Sequence, residues 1–275
     1  MNARFYIRLS ATFGALALSL GLLAGPAAAD PTPGQFRPVV GVGSEVTQDV
    51  NNAIAEAFLA PDGAPYIASY NATGSAVIQT RPTGCVLPRP NGSAAGITAL
   101  RNAPDCIDFV RSTQGPINQS GSSLTWIPVA TTADTFAVRK DSPLPRALTT
   151  VQLNAIYNCS LRVLSGTVLT PKLPKPGSEA RAAWLGALGL TEANLGACVQ
   201  GTTEPDDISA LTRAGDIMPF SISRYIAQGP LPDPWNVVAL GSLNGVAPIV
   251  QSNFNTAFPT TRSVYQVVPT AKAAP

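Results

Sequence analysis

Histidine is absent from this chain. Ser–His and Cys–His nucleophile pairs therefore cannot form, nor can a zinc site of mixed cysteine and histidine ligands. Charge is also scarce, at 12% Asp, Glu, Lys and Arg. So thin a charge density argues against a strong field for nucleic acid or an anionic membrane. Outside the first residues, no apolar run reaches the length of a membrane span. The three lysines closest to a Ser–Lys pattern, Lys140, Lys172 and Lys175, sit among prolines and polar loops with no serine motif beside them. The expectation is a non-enzyme without cofactor or metal.

The first 29 residues read as a signal peptide. Arg4 and Arg8 form its charged start, Phe13 to Leu23 its apolar stretch, and Ala27-Ala28-Ala29 its small-residue cleavage site, which makes Asp30 the expected mature N-terminus. No cysteine lies near the cut, so the chain is expected to be secreted without a lipid anchor. The leader holds two of the 18 basic residues and no acid, which leaves the remainder in balance with 16 acids. All four cysteines, Cys85, Cys106, Cys159 and Cys198, fall in the exported part. An oxidising compartment favours disulfides. Of the three connectivities open to four cysteines, Cys85–Cys106 with Cys159–Cys198 keeps each bridge inside one of the two lobes expected below.

What the chain does contain is a series of glycine- and serine-rich breaks, each entering a predicted helix. They are Gly41-Val42-Gly43-Ser44, Asn91-Gly92-Ser93-Ala94-Ala95-Gly96, Arg111-Ser112-Thr113-Gln114-Gly115 and Pro176-Gly177-Ser178-Glu179. A helix N-terminus offers unpaired N–H groups and the positive end of the dipole. Glycine admits a ligand to the backbone and serine adds a hydroxyl, so several such ends aimed at one spot make a site for a small anion. Residues 30–37 read as a flexible lead-in. Val39 to Val42 reads as a buried strand, followed by a helix whose Val46, Val50, Ile54 and Phe58 form one face. Thr149-Thr150-Val151-Gln152 fits a capping box, and Ser178 opens a helix with Trp184, Leu185 and Leu188 on its apolar side. Trp126 and Trp184 read as core, whereas Trp235, in the loop from Pro230 to Pro234 and beyond, reads as an exposed contact. The tail after Pro269 is expected to be unstructured. Short strands alternating with helices argue for an α/β fold.

In order, these motifs resemble the phosphate-binding proteins of ABC transporters, and more closely an actinobacterial branch of substrate-binding-domain proteins. The residues that carry the resemblance are Gly41 to Ser44, Pro88 to Ile97, Cys106 to Ser112, Pro176 to Arg181, Asn244 to Pro248 and Arg262 to Tyr265. The resemblance implies a two-lobed type-2 periplasmic-binding fold, with mixed sheets flanked by helices and a cleft between the lobes. Lobe I would comprise residues 38–132 plus 226–275, and lobe II residues 133–225. The ligand positions it implies are Ser44, Gly92 with Ser93, Ser112 with Thr113, and Gly177 with Ser178. Three departures stand out: Glu179-Ala180 replaces the usual Gly-Thr, Pro174 lies where an arginine is expected, and Thr113 stands nearest to where an acceptor aspartate selects a protonated phosphate.

From the residues themselves, Arg111 at a strand end is placed in the cleft to grip an oxyanion, and Arg181, one turn into its helix, is a weaker second cation. The expected function is capture of phosphate or a related oxyanion by a secreted monomer, with a membrane permease as partner and a link to ABC-type uptake or sensing. The alternative is an extracellular interaction or sensor module that kept the fold without phosphate binding.

Overall fold

The computed structural model describes residues 30–116, 123–228 and 237–273. The expected leader and Trp235 with its proline-rich loop lie outside them. In chain order the main strands are β1 (Val39–Gly43), β2 (Ile67–Ser69), β3 (Phe109–Ser112), β4 (Leu124–Thr132), β5 (Asp134–Arg139), β6 (Thr170–Pro174), β7 (Gln200–Thr203), β8 (Asp216–Ser221), β9 (Val238–Leu240) and β10 (Arg262–Pro269). The helices are α1 (Gln48–Ala57), α2 (Gly92–Asn102), α3 (Thr150–Tyr157), α4 (Glu179–Ala187), α5 (Ile222–Gln228) and α6 (Thr270–Ala273).

The strands form two five-stranded mixed sheets. The first runs β2-β1-β3-β10-β4 and the second β7-β6-β8-β5-β9. In each, three neighbouring strands are parallel and the rest antiparallel. Val40, Val42, Leu100, Ile107, Val110 and Val267 make the core of the first lobe. Phe136, Val138, Leu153, Tyr157, Leu173 and Trp184 anchor that of the second. The helix α2 lies close on β1 because Gly96 has no side chain: a Cβ there would sit 2.6 Å from Val110 Cγ1 and 3.0 Å from Gly43 Cα. Disulfides join Cys85 to Cys106 and Cys159 to Cys198, one in each lobe.

The chain passes from the first sheet to the second between Thr132 and Asp134, and returns just before β10. An ion pair of 2.7 Å between Arg262 and Asp134 ties the two crossings together. This return point corrects the lobe I assignment of residues 226–275. β9 adds to the edge of the second sheet through β5, and Leu243 and Phe258 are buried in the second core. Only β10 and the short α6 rejoin the first lobe. The segment was misplaced because its apolar residues carry no mark of which sheet they complete. The tail is also more ordered than expected: α6 forms, and Lys272 reaches Asp108 at 2.6 Å.

The apolar stripe of α1 is another correction. Val50, Ile54 and Phe58 are 61%, 49% and 53% exposed, while Asn51, Asn52 and Ala55 are buried. Amide groups set this orientation. Gln266 Nε2 donates to Asn51 Oδ1, Asn51 Nδ2 donates to Thr47 O, and the Ala72 N–H donates to Gln48 Oε1. With Gln266 of β10 and Ala72 beyond β2 engaging its polar side, the helix leaves Val46, Val50 and Ile54 lining a groove of about 870 Å³ with Val39, Ile67 and Phe109. Val50→Ser and Ile54→Ser should therefore shift unfolding free energy by no more than about 0.5 kcal/mol. Asn51→Leu, which strands the Gln266 amide, should cost about 1–3 kcal/mol in urea titrations.

Candidate functional site

Three of the glycine-serine turns meet between the lobes. Ser44 leaves β1 and caps the turn before α1, its Oγ accepting from the Val46 N–H. Gly92 and Ser93 open α2, with Gly92 at φ +83°. Thr113 follows β3, and its N–H donates to Ser93 Oγ at 2.9 Å. Across the cleft, Ser178 caps α4 by accepting from the Arg181 N–H.

The donors at this meeting point already hold a carboxylate. Glu179 Oε2 accepts from the Ser93 N–H at 2.8 Å, and Oε1 accepts from Thr113 Oγ1 at 2.7 Å. Glu179 is the first residue of α4 and only 8% exposed. Gly92 leaves room for it, since a Cβ there would lie 3.3 Å from Glu179 Oε2. The exchange is reciprocal. Glu45 of the first lobe accepts from the Ala180 N–H, at the start of α4, with 3.0 Å to its Oε1. Each lobe thus caps a helix of the other with an acid. A charge-assisted hydrogen bond of this kind contributes about 1.5–3 kcal/mol, and a carboxylate at a helix N-terminus gains a further few tenths to about 1 kcal/mol from the dipole.

Neither arginine expected in the cleft grips this position. Arg111 is fully buried inside the first lobe. Its Nε donates to Ser44 O, Nη1 to Ser69 Oγ and Nη2 to Tyr70 O. Burial pulls its pKa down to about 10, partly offset by Glu45 and Asp30. The side chain turns back because the ends of β1 and β2 present carbonyls that need a buried donor. Arg181 is also buried, holding Glu192 at 2.6 and 2.7 Å and the Pro174 carbonyl at 2.9 Å. Ser112 is engaged locally with Gln114. Of the residues read from sequence, Gly92, Ser93 and Thr113 therefore surround the seated carboxylate. Gly177 and Ser178 shape the helix that delivers it, Ser44 positions Glu45, and Arg111, Arg181 and Ser112 act elsewhere.

Beside Glu179 lies a cavity of about 190 Å³ between the lobes. Among its described lining residues are the acids Glu45, Asp49, Asp134, Glu204 and Asp206, against the cations Lys175 and Arg224. Lys175 pairs with Glu204, Arg224 with Asp49 across the cleft at 2.9 Å, and Asp134 with Arg262. Glu45 and Asp206 have no such cation. Asp206 accepts from the Ser221 N–H at 2.7 Å, and burial, reinforced by Asp134 and Glu45, pushes its carboxyl up to about 7. Burial also raises Glu45, with Glu179 adding repulsion. From sequence, Asp206 beside Asp207 reads as a solvated loop pair and Asp134 carries no motif; only Glu45, directly after Ser44, lies beside a flagged turn. Among the described residues no cluster of acids and cysteines could hold a metal ion, and no helix is long and apolar enough to cross a membrane.

No family model and no curated protein matches this sequence. Solved structures do match it in shape. An ABC-type phosphate transport receptor from Vibrio cholerae superposes with a TM-score of 0.62 at 14% identity, over 86% of this chain and 88% of that one. A putative phosphate ABC transporter substrate-binding protein from Clostridium perfringens, with bound phosphate, gives 0.61 at 18% identity, over 84% and 85%. A phosphate-binding protein from Stenotrophomonas maltophilia gives 0.51 at 14% identity, over 86% and 79%. At these identities the likeness establishes the fold, which is the two-lobed periplasmic-binding architecture of mixed sheets flanked by helices.

Removing the Arg111 guanidinium should damage the first lobe rather than the cleft. Arg111→Met leaves the Ser44 and Tyr70 carbonyls without that donor. It should lower unfolding free energy by roughly 2–4 kcal/mol in denaturant titrations.

Proposed function

We propose that this chain is an exported, non-enzymatic solute-binding-type protein whose interlobe anion position is filled by its own Glu179, so that it captures no free phosphate there. One observation carries the reading: the Ser93 N–H and the Thr113 hydroxyl, two donors of the turns expected to receive an oxyanion, both end on the Glu179 carboxylate. A tethered group acts at an effective concentration on the order of millimolar or higher, and a free anion must outcompete it. The remaining cleft compounds the problem. A phosphate next to Glu179 would face Glu45, Asp134 and Asp206, and the cations of the cavity wall, Lys175 and Arg224, are already paired with Glu204 and Asp49. The chain then serves as an extracellular interaction or sensor module built on a binding-protein fold.

A second reading is oxyanion capture with transfer to a membrane permease, with Glu179 swinging away when the lobes open. The clustering of backbone and hydroxyl donors favours it, as does the bound phosphate in the Clostridium perfringens structure of the same fold. Calorimetry with phosphate and sulfate at pH 7 separates the two. The wild type should give no binding heat and Glu179→Ala a measurable one, because the mutation vacates the donors without touching them. Micromolar phosphate binding by the wild type would replace the first reading with the second.

A further inference from the structure

Closing the lobes confines Glu45 and Asp206 with little to balance them. Glu45 comes from the first lobe and Asp206 from the second, and both line the cavity between them. The groups around Glu45 are Glu179, which repels it, and Arg111 behind it, whose charge is spent on Ser44, Ser69 and Tyr70. Those around Asp206 are Asp134 and Glu45, which repel it, and Arg224, already paired with Asp49. The remaining charges on the cavity wall, Lys175 and Glu204, pair with each other, and Arg262 is committed to Asp134. One oxygen of Glu45 is spoken for by the Ala180 N–H, while the other, Oε2, is buried without a partner. A buried carboxylate oxygen in that state is costly when charged and becomes a hydroxyl when protonated.

Resting on the reading of a self-filled cleft, we propose that closure of the two lobes takes up protons on the carboxyls of Glu45 and Asp206 that line the cavity between them, so that acid favours the closed form and alkali opens it. In the open form both groups meet water and ionise in the ordinary carboxylate range. In the closed form both hold their protons more tightly. The closed state therefore binds more protons, and its advantage grows as pH falls from the raised closed-state range towards the ordinary one. The Glu179 carboxylate on the Ser93 N–H and the Thr113 hydroxyl supplies the attraction, Glu45 still accepts from the Ala180 N–H when protonated, and each acid left ionised in the closed cavity subtracts from it. Each proton taken up on closure changes the closed-to-open ratio by up to about tenfold per pH unit.

Small-angle scattering of the mature protein between pH 5 and 8.5, at constant ionic strength, reads the lobe separation. The wild type should be compact at pH 5 and expand as pH rises through about 7. Glu45→Gln with Asp206→Asn, which imitates the protonated pair, should stay compact across the range. A scattering profile independent of pH, expansion on acidification, or a double variant that opens as the wild type does would each overturn the proposal. Should the double variant not fold, carbon-13 titration of the wild-type carboxyls decides: an Asp206 that titrates near 4 refutes proton-linked closure. Calorimetry with phosphate at both ends of the pH range keeps the two ideas apart. Phosphate binding with pH-driven closure intact would sink only the self-filled reading, whereas no phosphate binding with a pH-independent shape would sink only the proton linkage.

Discussion

The structure turns on the electrostatics of two helix ends facing each other across a cleft. The first residues of α2 and α4 both point their unpaired N–H groups and positive dipole ends at the space between the lobes. Brought together with nothing between them, such ends repel and leave donors unsatisfied. An anion in the gap resolves both problems at once. Here the chain supplies that anion itself. Glu179 reaches the start of α2, and Glu45 reaches the start of α4. The donors of both helix ends are thus used for contacts between the lobes.

The same arrangement accounts for where the arginines lie. The acids seated at the two helix ends are met by backbone N–H groups and dipoles, not by a guanidinium. Arg111 is drawn to carbonyls inside the first lobe, where it bridges the ends of β1 and β2 beneath Ser44. Arg181 is drawn to Glu192 and to the last carbonyl of β6. Both arginines became parts of the scaffold that aims the turns. Their burial, together with Gly92 and Gly96 at points of close approach, fixes where Ser93 and Thr113 present their donors.

Much of this was legible locally. The caps at Ser44 and Ser178 and the reciprocal box of Thr149 with Gln152 all form as their residue types require. Alternating strands and helices gave the α/β class, the family resemblance implied the two lobes, and the cysteines pair within lobes as expected. What failed depended on distant partners. The α1 stripe satisfies the periodicity of a buried face, yet Gln266 and Ala72, far off in sequence, bind the other side of the helix. Arg111 sits at a strand end in either role, and only the three-dimensional placement of Ser69 and Tyr70 decides which. Residues 238–258 look like any return to the first lobe until β9 is seen on the edge of the second sheet.

Glu179 shows how one position can be read correctly in its chemistry and incompletely in its reach. A carboxylate at the first helical position of α4 complements that helix's own dipole, which the sequence alone makes plain. Its oxygens, however, accept from residues 86 and 66 positions earlier in the chain. Once there, the carboxylate cannot at the same time cap its own helix, and Ala180 is left with an N–H to satisfy. Glu45 satisfies it. The second acid is therefore a consequence of the first, and the crowding of carboxyls in the adjoining cavity follows from both. A side chain seated on those donors brings a fixed negative charge into the cleft, and the remaining acids must then pair, pick up protons, or stay apart.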